Sequence, residues 1–183
     1  MEHMFEESMM TTHTPPKVMK PTTCPKILVL GGTGFIGNHL CRKLIDEGHH
    51  VICIDNNFSG SVENIGDLFK NPRFEYIHHN ILDPLALNDK ISHIYNLASP
   101  SSPKYPVFTI KTCVIGSMNA VELANQKNAC LIILASKSDA NNRIAETIMV
   151  ESGKAYGLEV RIARILKTYH ETVAQLLALM NNV

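Results

Sequence analysis

The chain has 183 residues, of which 45% are hydrophobic, and this suits a single domain with a substantial apolar core. Seventeen basic residues balance seventeen acidic ones, so the formal net charge is zero and the sequence pI is about 7.1. This balance argues against nucleic acid or an anionic membrane as a partner, and the sequence shows no continuous apolar run of membrane-spanning length.

Residues 1–25 are rich in Met, Thr and Pro and lack apolar periodicity. They predict a disordered leader, followed by one domain over residues 26–183. The five cysteines form no C-x-x-C pair, and the paired histidines lack metal-ligand spacing. We therefore expect reduced thiols, a cytoplasmic location and no bound metal.

The strongest motif begins with the apolar run 27–30, whose length and composition predict a buried strand of a parallel sheet. Gly31, Gly34 and Gly37 follow as G-x-x-G-x-x-G. Glycines in such a turn permit a tight bend, close approach of the backbone to a pyrophosphate, and close packing of a helix on a strand. An amphipathic helix and a second strand ending at Asp55 complete the pattern of a Rossmann-type dinucleotide-binding unit. The alternative is an inherited turn that no longer binds a ligand.

Asp55 lies about 20 residues beyond the glycines, where a carboxylate accepts hydrogen bonds from an adenosine ribose and repels a 2′-phosphate. The motif therefore favours NAD over NADP. Further cofactor-binding candidates lie at the start of the first helix and in the loops after the second, third and fourth strands. They are Phe35, Ile36, Asn56, Asn57, Phe58, Ser59, Gly60, Asn80, Ile81, Leu97, Ala98 and Ser99. Asn80 has an alternative role as the cap of a turn.

The remaining apolar periodicity predicts alternating helices and strands. In chain order we expect a short helix over 62–69, strands over 74–78 and 91–98, a helix over 106–126, a strand over 130–136, a helix capped by Asp139 and ending at Gly157, a strand over 158–166, and a final helix that includes 173–180. This order predicts an α/β fold, a doubly wound parallel sheet of about six strands in three α/β/α layers.

Five segments carry a family resemblance: GGTGFIGNHLCRKLIDEGHHVICIDNNFSGSVENI, NPRFEYIHHNILDPL, IYNLASPSSP, IKTCVIGSMNA and GLEVRIARI. In this order they closely resemble the UDP-glucuronate decarboxylases of the extended short-chain dehydrogenase/reductase family, over about residues 25–168. The resemblance implies use of NAD to oxidise the C4 hydroxyl of UDP-glucuronate, followed by loss of carbon dioxide and return of the hydride to give UDP-xylose.

The family's catalytic pair is Tyr-x-x-x-Lys, in which the tyrosine is the base and the lysine lowers its pKa and holds the nicotinamide ribose. The resemblance places Ser138 at the tyrosine position and Asn142 at the lysine position, and the loop before them looks deleted. The C-terminal half that supplies most of the nucleotide-sugar pocket is reduced to one short helix, so the substrate domain is largely missing. Lys137 is a candidate replacement base, although a solvated lysine is protonated at neutral pH. We assign no catalytic residue.

These departures favour an NAD-binding pseudoenzyme that acts through its cofactor or a partner. The resemblance also implies pairing through a four-helix bundle, here helices 109–126 and 142–155, as a homodimer or as a heterodimer with a full-length relative. One alternative is an active nucleotide-sugar decarboxylase, epimerase or dehydratase completed by a partner chain. Another is an isoform or gene remnant without an independent role.

Overall fold

The computed structural model describes residues 26–100, 104–136, 139–165 and 170–181. The predicted leader over 1–25, together with Lys137 and Ser138, lies outside these ranges. The described elements are β1 (Lys26–Leu30), α1 (Phe35–Asp46), β2 (His50–Asp55), a 3₁₀ helix (Val62–Lys70), β3 (Phe74–His78), β4 (Ile91–Asn96), α2 (Pro106–Lys111), a π-helical segment (Thr112–Gly116), α3 (Ser117–Lys127), β5 (Leu131–Ser136), α4 (Ala140–Tyr156), β6 (Glu159–Arg164) and α5 (His170–Asn181).

The six strands form one parallel sheet in the order β3-β2-β1-β4-β5-β6. The chain winds outward in one direction from β1 to β3 and in the other from β4 to β6, so the sheet reverses between β1 and β4. Leu30, the last residue of β1, is in register with Ile54 of β2 and Asn96 of β4. The order confirms the predicted doubly wound Rossmann-type fold and brings the carboxyl ends of three strands together at its switch point.

Helices cover both faces of the sheet, which gives the predicted three layers. Helices α1 and α5 pack over one face, around buried Leu40, Leu44 and Leu176. On the other face α3 and α4 pack together, with Val121 and Met149 buried against the strands. Because both faces are covered, the central strands are apolar almost throughout rather than alternating.

Two predicted helix ends are confirmed by their capping geometry. The Asp139 carboxylate accepts the backbone N–H of Asn142 at 2.9 Å, which satisfies a free donor at the start of α4. At the other end Gly157 has φ of +68°, the left-handed conformation that glycine adopts without steric cost. Residues at or next to the two ends of this helix were therefore enough to predict where it begins and ends.

The prediction was wrong about the end of the fourth strand, which leaves the sheet at Asn96 instead of Ala98. The Asn96 side-chain oxygen accepts the N–H of Ala98 at 3.2 Å, and the N–H of Ser99 bonds to Leu97 O at 2.8 Å. These local bonds replace ladder bonds and turn the chain outward. Strand β6 is likewise shorter than predicted, Glu159–Arg164.

The predicted continuous helix over 106–126 contains a π-helical segment, Thr112–Gly116, between α2 and α3. Periodicity alone does not reveal a single wider turn of this kind. The segment lies against the loop after β3, since a Cβ added at Gly116 would meet Ile81 Cγ2 at 2.9 Å. The absence of a side chain at Gly116 therefore sets how closely this loop approaches the helix.

The helical stretch Pro106–Lys127 is also long and apolar enough to span a membrane, with a mean hydropathy of 1.3. Core helices meet the same criterion, and 44% of the apolar window is buried in the fold. Val121 and Ala124 pack onto the sheet, whereas Val107 and Met118 are exposed on the outer side.

Candidate functional site

The glycine turn follows β1 directly and is fixed by its neighbours on both sides. Gly31 has φ of +81°, and its N–H donates to Ile54 O at 2.8 Å. A Cβ at Gly31 would lie 2.8 Å from the Leu97 carbonyl carbon, and one at Gly37 would lie 2.3 Å from Gly31 O. Both positions therefore exclude any larger side chain, which allows α1 to start immediately above the end of β1.

Helix α1 begins with unsatisfied donors. Its N-cap is Gly34, no side chain caps its first N–H groups, and its first turn contains no acidic residue. Phe35, Ile36 and Gly37 line a cavity at this helix end. Free N–H groups and the positive end of the helix dipole suit a phosphate or another anion at that point.

Asp55, the last residue of β2, is held in place by two backbone donors. One carboxylate oxygen accepts the N–H of Thr33 at 3.0 Å, and the other accepts the N–H of Asn57 at 2.8 Å. Each oxygen keeps acceptor capacity, and Asp55 lines the cavity beside the glycine turn. This is a preorganised acceptor for a pair of ribose hydroxyls.

A cavity of about 550 Å³, including space open to solvent, extends from the turn over the carboxyl ends of β1, β2 and β4. One wall is aromatic, because Phe58 packs against Phe108 with ring centroids 4.2 Å apart and against Tyr105 at 5.4 Å. The predicted residues in its lining are Gly31, Gly34, Asp55, Asn56, Phe58, Ser59, Asn80, Ile81, Leu97, Ala98 and Ser99.

A second cavity adjoins the first and shares Gly31, Gly34, Ser59, Leu97 and Ser99 with it. Its other lining residues are Phe35, Ile36, Gly37, Ala135 and Ile165, so it extends toward β5 and β6. The two cavities together form one elongated depression across the switch point of the sheet. A ligand with two linked halves fits this shape better than a compact one.

Two predicted residues lie beside the cavities instead of in their lining. Asn57 adopts φ of +56°, and its amide nitrogen donates to the Tyr76 hydroxyl at 2.9 Å. Gly60 packs on Thr33, whose Oγ1 would be 2.3 Å from an added Cβ. Both residues shape the loop that carries Phe58 and Ser59.

Asn80 has the turn-capping role that the sequence offered as an alternative, and its binding of a cofactor stays a prediction. Its side-chain oxygen accepts the N–H of Leu82 at 3.1 Å, which makes an Asx turn, and the residue also lines the cavity. Because the oxygen is bound to a backbone donor, the amide N–H₂ group is the part of this side chain left to bind a ligand.

The sequence did not point to three residues that the fold brings to the site. Thr33 holds Asp55 through its backbone N–H, and Phe108 and Thr112 line the cavity from α2 and the π-helical segment. No local motif marks Phe108 or Thr112, because they reach the site only through the packing of α2. The position of Thr33 inside the glycine turn was the one available signal.

Asn142, at the position where the resemblance expects lysine, is 2% exposed, and both the oxygen and the nitrogen of its side chain are hydrogen-bonded. Its side-chain oxygen accepts a hydrogen bond from Ser99 Oγ at 3.2 Å, and its amide nitrogen donates to Asp139 at 2.8 Å. The two bonds connect the end of β4 to the start of α4.

A second polar cluster lies where β5 and β6 end. Glu146 accepts bonds from Ser136 Oγ at 2.6 Å and from Arg164 at 2.7 and 3.0 Å. The Arg164 bond, with help from Ser136 and against the cost of burial, holds the pKa of Glu146 below its usual range. The cluster ties α4 to the sheet, and its polar groups bond one another.

Charge is scarce around the depression. Among the described residues that line either cavity, Asp55 is the one charged group. No described arginine or lysine in that lining would meet a 2′-phosphate, which agrees with the predicted preference for NAD. Within residues 26–100, 104–136, 139–165 and 170–181 no three His, Cys, Asp or Glu side chains cluster as metal ligands do.

The switch-point depression, the Cβ-intolerant glycine turn, the uncapped helix start and the anchored carboxylate together define a Rossmann-type dinucleotide-binding domain. Residues 28–159 match the family model of GDP-mannose 4,6-dehydratase. The match extends over more than half of the chain, so the protein belongs to that family of nucleotide-sugar short-chain dehydrogenases/reductases.

Curated relatives confirm the predicted resemblance. The chain is 39% identical to UDP-glucuronic acid decarboxylase 1 of Arabidopsis thaliana over 79% of its own length and 40% of the relative's. It is 37% identical to UDP-glucuronic acid decarboxylase 6 of the same plant, over 87% and 57%. The chain thus spans about half the length of the curated relatives that it matches.

Solved structures show the same fold. UDP-glucose 4-epimerase of Thermotoga maritima superposes with a TM-score of 0.69 at 25% identity, over 76% of this chain and 54% of that one. The dTDP-glucose 4,6-dehydratase of Bacillus anthracis, solved in complex with NAD, superposes with a TM-score of 0.65 at 20% identity, over 76% and 54%.

Proposed function

We propose that this protein binds NAD without catalysing the reaction of its decarboxylase relatives, and that it acts through the bound nucleotide or through a partner. One observation carries the proposal. The described lining of the depression contains no tyrosine, lysine or histidine that could take a proton from a sugar hydroxyl. Asp55, its one charged group, lies beside the glycine turn at the end of β2.

The state of Asn142 supports the same conclusion. An asparagine is neutral, so it does not lower the pKa of a neighbouring group as a lysine does. Here it is also buried, and its side chain bonds Asp139 and Ser99. Loss of a positioned general base reduces a rate by about 10² to 10⁴, before the loss of its partner is counted.

The glycine turn and Asp55 support retention of the nucleotide. A Cβ at Gly31 or Gly37 would collide with the backbone, so the turn keeps the shape that admits a pyrophosphate, and two N–H groups orient the Asp55 carboxylate. With NAD bound, the α1 N–H groups would hold its pyrophosphate and Asp55 its adenosine ribose.

Isothermal titration with NAD tests binding. We expect micromolar or tighter affinity, with at least a tenfold loss in Asp55→Ala because the ribose hydroxyls lose their acceptor. Asp46→Ala is the matched control, since it removes the same charge at the exposed far end of α1 and should leave the affinity unchanged. Absence of binding to the folded protein would contradict this half of the proposal.

The second half is tested by release of carbon dioxide from UDP-glucuronate by protein saturated with NAD. We expect no release above the rate without protein. Release that rises with protein concentration would favour the alternative, an active nucleotide-sugar enzyme, and a dependence on dimer concentration would show that a partner chain completes the site.

An exposed apolar face supports association as a second candidate function. It consists of exposed apolar side chains on α2, the π-helical segment, α3 and α4, and we call it the helix-pair face. Its exposed members are Val107, Ile110, Ile115, Met118, Ile144 and Val150. Exposed apolar side chains on neighbouring helical segments are typical of a protein–protein interface, and we propose a homodimer, or a heterodimer with a longer relative.

Light scattering with size exclusion tests this association. The native chain should elute with the mass of a dimer, and the double variant Met118→Glu with Ile144→Glu should elute as a monomer. Gln175→Glu with Ala178→Glu adds the same charge to exposed positions of α5, on the other side of the sheet, and should stay dimeric. A native monomer at all concentrations would refute self-association.

A further inference from the structure

Hydrogen-bonding groups are distributed unequally along the depression. Around Asp55 the described lining offers a carboxylate with spare acceptor capacity, the amide of Asn80 and the uncapped N–H groups at the start of α1. The part that reaches toward β5 and β6 is lined by Leu97, Ala135 and Ile165. Polar recognition is therefore concentrated at one end.

The polar side chains nearest the other end bond within the protein. Ser99 Oγ gives its proton to Asn142, the Asn142 amide donates to Asp139, and Asn142 is 2% exposed. A ligand that used the Ser99 hydroxyl as a donor would first have to break its bond to Asn142, and the Asn142 amide itself is buried. A replaced hydrogen bond adds little net affinity, because one is lost for each one gained.

These two observations predict that the site contacts the two halves of a dinucleotide in different ways. The adenosine ribose and the pyrophosphate are the parts that a free carboxylate and a helix start recognise. The nicotinamide and its ribose would extend toward the apolar end, where Leu97, Ala135 and Ile165 offer apolar contact and the Ser99 hydroxyl is bonded to Asn142.

We propose that this site recognises the ADP-ribose part of its ligand and is indifferent to the nicotinamide, both to its presence and to its oxidation state. The inference rests on the proposed binding of NAD and narrows it to a class, ADP-ribose and its derivatives without a 2′-phosphate. A protein of this kind reports the total level of such nucleotides and not the ratio of the oxidised to the reduced form.

The test is isothermal titration of the full chain with NAD⁺, NADH, ADP-ribose and nicotinamide mononucleotide, each alone. The first three should bind with Kd values within about fivefold of one another, since one net hydrogen bond to nicotinamide would alter Kd by about that factor. Nicotinamide mononucleotide should show no binding at millimolar concentration.

Two variants show which end of the ligand is recognised. Asp55→Asn keeps the shape of the side chain and should weaken NAD⁺, NADH and ADP-ribose by the same factor, at least tenfold. Ser99→Ala removes the hydroxyl at the apolar end and should leave the ratio of the NAD⁺ and ADP-ribose affinities unchanged.

Different results would overturn the inference and the proposed function. Binding of NAD⁺ more than about fivefold tighter than that of ADP-ribose, or an equal difference between NAD⁺ and NADH, overturns the inference while NAD binding stands. A change of that ratio in Ser99→Ala also overturns it. Failure of all the nucleotides to bind the folded chain overturns the proposed function as well.

Discussion

The two halves of the sheet differ in what their polar atoms do. At the ends of β1 and β2 the backbone is tightly constrained, yet Asp55 and the first N–H groups of α1 keep capacity for a ligand. At the ends of β4, β5 and β6 the polar side chains bond one another, Ser99 with Asn142 and Ser136 with Glu146. The first arrangement is suited to bind a ligand, whereas the second holds helix α4 on the sheet.

This contrast follows from the physical chemistry of the two motifs. Phosphate recognition needs backbone N–H groups and small residues, so it survives wherever the glycine turn survives. A proton-transfer site needs particular side chains at particular distances. The asparagine at position 142 instead makes hydrogen bonds that hold the helix start in place. One substitution can therefore turn a reactive position into a structural one while the fold is kept.

The largest expected effect is that of Gly37→Ala. The added methyl would lie 2.3 Å from Gly31 O and 2.6 Å from Gly32 Cα, so the backbone has to move. We expect a loss of about 1–3 kcal/mol in the free energy of unfolding and no measurable binding of NAD. Denaturant unfolding and titration measure the two effects.

Gly66→Ala is the control for this substitution, because nothing lies within 4 Å of a Cβ at that position of the 3₁₀ helix. Its stability should stay within about 0.5 kcal/mol of the native value. Equal effects of the two alanines would contradict the claim that the glycine turn is sterically fixed.

The next largest effect is expected for Asn142→Ala, which tests the half of the sheet formed by β4, β5 and β6. It removes the bonds to Ser99 and Asp139 at a buried position, and we expect a loss of about 1–3 kcal/mol in the free energy of unfolding. The Kd for NAD should change by less than about threefold. Asn141→Ala, one residue earlier, is the matched control and should alter neither quantity.

A large loss of NAD affinity in Asn142→Ala, without a change in stability, would contradict this account. It would show that the asparagine contacts the nucleotide. The two measurements therefore have to be made on the same preparation.

The Glu146 cluster predicts a smaller, pH-dependent effect. Arg164 lowers the pKa of Glu146 in the folded protein, so the ionised carboxylate stabilises the fold. This stabilisation is fully present above the pKa of a glutamate in the unfolded chain, which is about 4.3. This stabilisation is lost as the pH falls through the folded pKa. Glu146→Gln should thus lower the Tm at pH 7, and its Tm should approach the native Tm as the pH falls through the folded pKa of Glu146.

A constant Tm difference between the native chain and Glu146→Gln across this pH range would contradict the interpretation. Glu159→Gln is a control on β6, since this carboxylate pairs with Arg161 at the surface and is 43% exposed. It should lower the Tm at pH 7 by less than Glu146→Gln does, because solvent screens an exposed ion pair.

The smallest effect is expected for Lys154→Ala. The side chain pairs with Glu151 at 2.7 Å, but both side chains are more than 60% exposed. Solvent screening leaves such a pair with little net energy, so stability should change by less than about 0.5 kcal/mol. A larger loss in thermal unfolding would show that the outer face of α4 is buried by a partner, as in the proposed dimer.

Much of the fold was predictable because its signals are local. The apolar strands, the glycine turn, the Asp139 cap and Gly157 each act within a few residues, and each was found as expected. The ends of β4 and β6 were predicted less accurately, since side-chain hydrogen bonds such as that of Asn96 decide where a strand leaves the sheet. The π-helical segment has no periodic signature.

The site was predictable to the extent that it is made from motifs. Asp55 and the turn residues followed from spacing, whereas Phe108 and Thr112 reach the cavity from a helix more than 70 residues beyond the turn. The bond between Ser99 and Asn142 joins residues 43 apart in the chain. Contacts at such separations depend on how the elements pack, which a single sequence does not specify.

Hydrogen–deuterium exchange with and without saturating NAD⁺ tests the contrast between the two halves most directly. We expect slower exchange at the amides of Phe35, Ile36 and Gly37 and in the loop after Asp55, with no change in the first turn of α4. Asp55→Ala should abolish the protection at matched nucleotide concentration. Protection of α4, or none at the glycine turn, would contradict the account.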